Sequence, residues 1–494
     1  MGSRVARDIA RPLSLVPVLA AFAVWHPLVH AYFHADDFLH LFDLVTLPVP
    51  RFLLQIWAGH FYVVRNAVFL GMFEAFGPEP GPWFVSVLVT HLVNVLLLQR
   101  VIRRLTGDPL VAGCGALLWG TCTLLEGTLG WYAVYGQVLL LTLVLLVLSG
   151  LAETIAARRT LSTRRALAWG LLLAAGGASF GIGLGVAAIF PLVVIIALPG
   201  AQRSARAVGT LAAAAAAILV VYAIVRAQAE PIEPTAEVWE QPGALFAGLP
   251  DAIALEARML GVGAYALLAG FVRPDAKPPG TPGMLAAAVL AIVVAGWLAA
   301  DRSSRRVQLA IGLLTLAAYG TTALGRAPIL GFLKVPLSVA ATWGRYQYMS
   351  LALLTVVICL ALAALAAARG GVARRAVRGI ALLWAVARLV FVATRPLAID
   401  LHAGARAETE TALLSIREAV AETPPGGVTV IQNRPFHTAV IPWLFPGWAG
   451  LFVIHFPDNA LDGRQVRFVV SEEDWARAQK RGGRIAALVE RPPS

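Results

Sequence analysis

The chain has 494 residues, is 59% hydrophobic and only 14% charged, with a mean hydropathy of +0.75. Soluble domains sit near a quarter charged, so this composition excludes an ordinary soluble enzyme and describes a membrane protein. The formal net charge of +12 is carried mostly by short arginine clusters between apolar runs, a pattern of membrane topology rather than of nucleic-acid binding.

In chain order, apolar runs long enough to cross a bilayer core as helices recur near 13–33, 83–99, 109–126, 137–156, 166–178, 184–199, 207–226, 284–300, 307–324, 347–367 and 376–394. About eleven transmembrane helices are therefore expected. The basic flank Arg4, Arg7 and Arg11 leads into a stretch too long for a signal-peptide core, which should remain as an anchor. The 45 glycines and 30 prolines lie among Leu, Ala and Val, where lipid-embedded helices tolerate them. Cys114, Cys122 and Cys359 also fall inside apolar runs, with no disulfide framework and no zinc or haem spacing.

Lys and Arg near span ends stay cytoplasmic. Alternate connections carry Arg4, Arg7 and Arg11, then Arg100, Arg103 and Arg104, then Arg158, Arg159, Arg164 and Arg165. The series continues with Arg203 and Arg206, with Arg302, Arg305 and Arg306, and with Arg369, Arg374, Arg375 and Arg378, all on one side. Of the opposite connections, 131–135 and 179–183 have no basic residue, and a longer one carries Glu230, Glu233, Glu237 and Glu240. The count predicts a multi-pass inner (plasma) membrane protein with a cytoplasmic amino terminus and an extracytoplasmic carboxyl-terminal segment.

Three external connections, about 34–82, 227–283 and 325–346, exceed a turn. Their segments 52–76, 245–272 and 329–337, broken by Pro and Gly, suit helices lying along the outer membrane face. Such loops on a rigid scaffold are where a site is expected, although plain spacers would look the same. After Arg395 the composition changes, dividing the chain into a membrane domain, 1–395, and a small extracytoplasmic α/β domain, 396–494. The latter should hold a helix at 405–422, strands at 428–432 and 466–470, and a helix at 472–480. Pro442, Pro446 and Gly447 favour folded or surface structure for apolar 439–456, with a twelfth span as the alternative.

The first external loop opens with His34-Ala35-Asp36-Asp37-Phe38. Adjacent carboxylates at a membrane surface repel and are costly to desolvate, so one can become a base; a solvated loop end is the plainer reading. The same face carries a few cations in apolar, aromatic surroundings: Arg65, Arg273, Arg326, Lys334 and Arg345, the last within Trp343-Gly344-Arg345-Tyr346-Gln347-Tyr348. The charge rule disfavours cations there, and binding an anion such as a lipid phosphate is one reason for them. Interfacial anchoring beside Trp and Tyr is the other.

The order of these features resembles the GT-C glycosyltransferases, which use polyprenyl-phosphate-linked sugars, and within them the protein O-mannosyltransferase-like branch. The resemblance runs over about 13–400. It rests on Asp36-Asp37, on Trp57 and Arg65, and on His91-Leu92-Val93-Asn94 in a span ending in the basic 99–104 segment. Glu126-Gly127-Thr128-Leu129-Gly130-Trp131-Tyr132 and, much later, Arg345-Tyr346-Gln347-Tyr348 complete it. Val64-Arg65-Asn66 departs from a Tyr-Arg-Pro-like element, and Ala178-Ser179-Phe180-Gly181 lacks a charged pair that many members carry.

The resemblance implies an all-α polytopic membrane fold with outer-face amphipathic helices. It further implies an inverting glycosyltransferase acting on the extracytoplasmic side, taking a polyprenyl-phosphate-linked sugar to a glycan, lipid or protein hydroxyl. Asp36 or Asp37 would be the base. Arg345, with Arg65 or Arg273, would bind the donor phosphate, and Tyr346, Tyr348, His91, Trp131 and Tyr132 would contact substrate. No cofactor is required, since a monophosphate leaving group needs less neutralisation than a diphosphate.

A competing reading places a divalent metal on His26, His30 and His34, which recur every four residues beside Asp36, Asp37 and His40. A polar stripe packed on other helices produces the same spacing. His91 and Asn94 read equally as an interhelical hydrogen-bonding pair. Nucleotide-binding loops and a nucleophile elbow are lacking from the sequence. The rival functions are a lipid-linked glycan carrier or flippase and a non-catalytic assembly partner of cell-envelope glycan synthesis.

Overall fold

The computed structural model describes residues 15–228, 243, 247–269, 281–368, 370–394, 402–438, 445–481, 485 and 487–490. Arg4, Arg7, Arg11, Arg273, Arg369, the acids Glu230, Glu233, Glu237 and Glu240, and the 439–444 part of the candidate twelfth span lie outside the described residues.

Each expected span falls on a helix, and the starts and stops follow local chemistry. Pro80 opens Pro80–Thr106 at a position where its missing N–H costs nothing, and Gly107 in the left-handed region closes it. The Asp108, Ser162 and Asp301 side chains accept N–H bonds to cap the helices Pro109–Gly120, Thr163–Gly177 and Arg302–Phe332. Outward-facing Leu171, Leu298, Ile380 and Leu383 are each more than 60% exposed. Side chains of that kind along helices suit lipid, which takes no penalty from apolar surface, and mark a multi-pass membrane protein.

Six described helices are long and apolar enough to cross a membrane: Pro80–Thr106, Tyr132–Ala156, Ala205–Gln228, Leu249–Ala269, Arg302–Phe332 and Tyr348–Ala368. Pro109–Gly120 and Thr123–Leu129, bent by 47°, make a seventh if counted as one span. Leu249–Ala269, expected along the outer face, thus also meets the criteria for crossing, and it packs against Thr281–Ala299, Arg302–Phe332 and Tyr348–Ala368. Two further outer segments differ from expectation. Residues 52–76 break into a short helix Val49–Leu53, a two-residue hairpin of β1 (Ile56–Trp57) and β2 (His60–Phe61), and the helix Val63–Phe76. Ile329 belongs to the last turn of Arg302–Phe332, because the apolar period continues past Pro328, and the surface turn is Leu337–Ala340.

Pro80–Thr106 and Tyr132–Ala156 run antiparallel, joined by Thr90 Oγ1 and Tyr135 OH at 2.8 Å toward one end and by Arg104 Nη1 on Ser149 O at 3.0 Å toward the other. The helix ends bearing Arg103, Arg104, Arg165 and Arg302 are thereby separated from the opposite ends, where Arg326 and Arg345 stand.

The carboxyl-terminal part is small and α/β. Ala403–Ala421 packs on a sheet in the order β3 (Val428–Gln432), β5 (Arg464–Val469), β4 (Ala460–Leu461), in which β3 and β6 (Val489–Glu490) run parallel to β5 and β4 antiparallel. The expected strands and helices all appear within a few residues of their predicted bounds. The described helix of the 439–456 stretch, Gly447–His455, has nine residues, too short to span, and it packs on Asp36–Thr46. Phe38 meets Phe436 at 4.8 Å and Phe42 meets Phe445 at 6.0 Å, so this part is docked onto the helix that begins with the two aspartates.

Candidate functional site

The helix Val16–Trp25 tightens into a 3-10 turn over His26–His30 and then extends. The single helical face expected for His26, His30 and His34 therefore does not form, and His26 and His30 are exposed while His34 is half-buried. Ala35, at φ +55°, turns the extended segment into the helix Asp36–Thr46. A non-glycine residue in that region is strained, and such strain clusters at functional sites. The helix N-terminus it creates favours the two carboxylates in the first turn.

Successive helical residues point about 100° apart, and the two aspartates part company accordingly. Asp37 is buried, its Oδ2 accepting from His34 N at 3.0 Å and its Oδ1 from Ala133 N at 2.5 Å. Burial pushes its carboxyl up to about 8, against the pull of those N–H groups. Asp36 is half-buried, and its Oδ1 is shielded from solvent with no hydrogen-bond partner. Burial raises it too, opposed by the cations Arg345, Arg65 and Arg326 in that order and by a hydrogen bond from Trp57.

Arg345 sits in a 3-10 turn, Gly344–Tyr346, just before the span Tyr348–Ala368. Its guanidinium lies 5.0 Å from the Trp131 ring centre, 4.2 Å from Trp343 and 5.3 Å from Tyr346, with no carboxylate in ion-pair contact among the described residues. Aromatic faces hold a cation while leaving its N–H donors free. The turn itself is clamped: Gln137 Nε2 donates to Arg345 O, Thr128 Oγ1 donates to Gly344 O at 3.1 Å, and a Cβ on Gly344 would run into the Leu124 carbonyl. Acidic corner and guanidinium, from distant parts of the chain, thus share one end of the bundle.

Arg65 is fully buried. Its Nε and Nη2 donate to Asn66 Oδ1 at 3.0 and 2.6 Å, Nη1 to Ala133 O at 2.8 Å, and Nη2 to His40 Nδ1 at 3.2 Å, with Tyr62 and Phe69 on its faces. It reaches the aspartates through its charge and through Ala133, whose N–H holds Asp37. Arg326 donates to His60 Nε2, so the His60 proton sits on Nδ1, which is buried and without a partner. Trp131 Nε1 and His34 Nδ1 are likewise buried and unpaired. A group of orphaned polar atoms around one cation and one free carboxylate oxygen is what a polar ligand would complete.

Of the other expected residues, Tyr346 stays beside Arg345, and Tyr348, His91 and Tyr132 turn into the bundle. Tyr348 is fully buried inside the bundle, its OH 2.9 Å from His91 Nδ1 and 3.2 Å from Asn94 Nδ2, as in the interhelical alternative. Tyr132 is fully buried among Phe69, Trp83 and Tyr135, and Tyr346 is buried beneath Arg345. Arg273 lies outside the described residues.

One residue at the site had no signal in the sequence. His402, at the start of Ala403–Ala421, stacks on His34 with ring centres 3.4 Å apart and planes 9° apart. Its partners are more than a hundred residues away, beyond any local pattern.

No family model and no curated protein sequence matches the chain. Among solved structures it is similar to the Archaeoglobus fulgidus oligosaccharyltransferase tethered with an acceptor peptide, at 14% identity and a TM-score of 0.40. That match covers 92% of this chain but only 63% of the archaeal one, so the chain spans less than two thirds of its length. It is also similar to ArnT from Cupriavidus metallidurans bound to undecaprenyl phosphate, at 13% identity and a TM-score of 0.40, covering 94% of this chain and 87% of that one. The apo form of that ArnT gives 12% identity, 0.35, 95% and 87%. Both neighbours are GT-C glycosyltransferases. At these scores the likeness is loose, and the site's own geometry carries the functional reading.

Proposed function

We propose that the chain is an integral-membrane glycosyltransferase that moves a sugar from a polyprenyl-phosphate donor to a hydroxyl of a glycan, lipid or protein acceptor, with inversion. The observation that carries this is the unpaired, solvent-shielded Oδ1 of Asp36 within electrostatic reach of the aromatic-backed guanidinium of Arg345, which has no carboxylate in ion-pair contact among the described residues. Both belong to the bundle end opposite the arginine-rich helix termini, which by the charge rule faces away from the cytoplasm. The inner membrane is the proposed location, with residues 396–494 as an extracytoplasmic domain over the site.

In the proposed step Asp36 takes the acceptor hydroxyl proton while that oxygen bonds to the anomeric carbon. The bond from that carbon to the lipid phosphate oxygen breaks, and its electron pair leaves with the phosphate. Arg345 stabilises the charge gained there, an interaction stronger in the transition state than in the ground state. Arg65 supplies a fixed positive charge and holds Asp37 through Ala133, and the scheme calls for no metal. The donor phosphate contact therefore falls to Arg345, with Arg326 the second cation at hand.

Asp36→Asn tests this in reconstituted vesicles. Transfer from polyprenyl-phosphate sugars should fall roughly 10²–10⁴-fold, while binding of undecaprenyl phosphate stays as in the parent protein. A carrier or an assembly partner would be little affected. Transfer retained in the Asp36→Asn, Asp37→Asn double variant overturns the assignment.

A further inference from the structure

Asp37 is fixed by N–H groups from two separate outer segments, His34 in the extended stretch after the 3-10 turn His26–His30 and Ala133 in the connection before Tyr135–Ala156. No described hydrogen bond runs directly between those two segments' backbones. Each, however, touches the same residue of the carboxyl-terminal part. The His402 ring lies flat on His34, and its Nε2 is 3.0 Å from the carbonyl oxygen of Gly130, three residues before Ala133. A carbonyl only accepts, so Nε2 carries the proton and donates. His402 is held to this task by its backbone, which adopts φ +72°, a costly conformation for a residue with a side chain. Arg406, one turn further along the same helix, donates to His30 O and lies over Tyr32, fastening the helix to the same stretch.

We propose that His402 is a positioning residue of the acidic corner, clamping together the two segments whose N–H groups fix Asp37, so that the reaction centre is completed by the carboxyl-terminal domain. The role rests on the proposal that Asp36 and Asp37 form the reaction centre. It makes the docking of that domain a condition for a competent site rather than only a cover over it. Removing the ring unstacks His34 and frees Gly130, and the two donors to Asp37 then move independently.

The two halves of the clamp can be separated by substitution. His402→Ala loses both contacts, His402→Phe keeps a ring for His34 but no donor for Gly130, and His402→Gln keeps a donor but no ring. Amide hydrogen exchange of the full chain in lipid nanodiscs reads the two segments as peptides covering 33–38 and 130–135. His402→Ala should speed exchange at least tenfold in both. His402→Phe should restore protection in 33–38 alone, and His402→Gln in 130–135 alone. General loosening of the domain cannot produce such segment-specific rescue. Parent-like protection in His402→Ala, or equal behaviour of the Phe and Gln variants, overturns the clamp. Should the Ala variant not fold, the contrast between Phe and Gln decides alone. Undecaprenyl phosphate binding in parallel keeps the two proposals apart: indifference to Arg345→Ala removes the transferase reading, whereas the exchange pattern speaks only to His402.

Discussion

Arg65 separates two roles that one residue type can play at this face, and replacing it measures which holds. Truncation to Ala leaves Ala133 O, His40 Nδ1 and Asn66 Oδ1 without a donor, at about 1–3 kcal/mol apiece for buried groups. It also removes the charge stacked between the Tyr62 and Phe69 rings, about 2 kcal/mol when desolvated. Against this, the buried guanidinium no longer has to be desolvated, which returns several kcal/mol. The net loss is about 3–5 kcal/mol, the range found when one partner of a buried charged network is removed. The assay is thermal inactivation in detergent micelles, paired with undecaprenyl phosphate binding on the fraction still folded at low temperature. Arg65→Ala should inactivate at much lower temperature, and Arg65→Lys should not rescue it, because one ammonium cannot reach acceptors on three sides of a planar fork. Parent-like thermal resistance with lost lipid-phosphate binding would refute this structural role and return Arg65 to direct phosphate contact.

Tyr348→Phe should cost about 1–2 kcal/mol of stability by leaving His91 and Asn94 short of a partner, with sugar transfer unchanged; transfer lost at unchanged stability would put Tyr348 against substrate. Arg345→Ala should lower transfer roughly 10²–10³-fold and move the acid limb of the residual pH–rate profile to higher pH. The sign follows from Asp36, which acts ionised and is already raised by burial; Arg345 is the strongest influence holding it down, so losing that charge lets it protonate at a higher pH. A limb that stays put or moves down would show that Arg345 does not act on Asp36. Gly344→Ala, whose new Cβ meets the Leu124 carbonyl, should displace the turn and weaken undecaprenyl phosphate binding as strongly as Arg345→Ala does.

The spans and the carboxyl-terminal strands were legible because apolar runs and alternation are local properties. The acidic corner and Arg345 were legible because a charge on the disfavoured face stands out against the arginine rule. Position alone could not separate Tyr346 from Tyr348. Two residues apart on a helical path they point about 200° apart, so one backs Arg345 while the other turns into the bundle toward His91. Arg65 was ambiguous for another reason: a cation in an aromatic segment reads alike whether its donors are spent on Ala133 and Asn66 or left free for a ligand. The His26, His30 and His34 spacing misled because the helix gives way to a 3-10 turn at His26, and four residues no longer return to the same face.

To act as the proposed base, Asp36 must keep its charge beside another carboxylate. The two differ in their surroundings. Asp37, raised by burial to about 8, is neutral at neutral pH, and the Asp36 charge helps to keep it so. His34, pushed down to about 3 by burial, His402 and Arg345, stays neutral beside it, its Nδ1 3.7 Å from Asp37 Oδ2 and without a hydrogen-bond partner. Asp36 is raised by burial too, but there the Arg345, Arg65 and Arg326 charges pull the other way. Because the folded-state value of Asp37 exceeds that of an unfolded aspartate, its contribution to stability is full at acid pH and is lost as pH rises toward about 8. Under the proposed mechanism a neutral Asp37 leaves the nearby guanidiniums to Asp36, and the histidine beside that neutral carboxyl is the one on which His402 of the carboxyl-terminal part stacks.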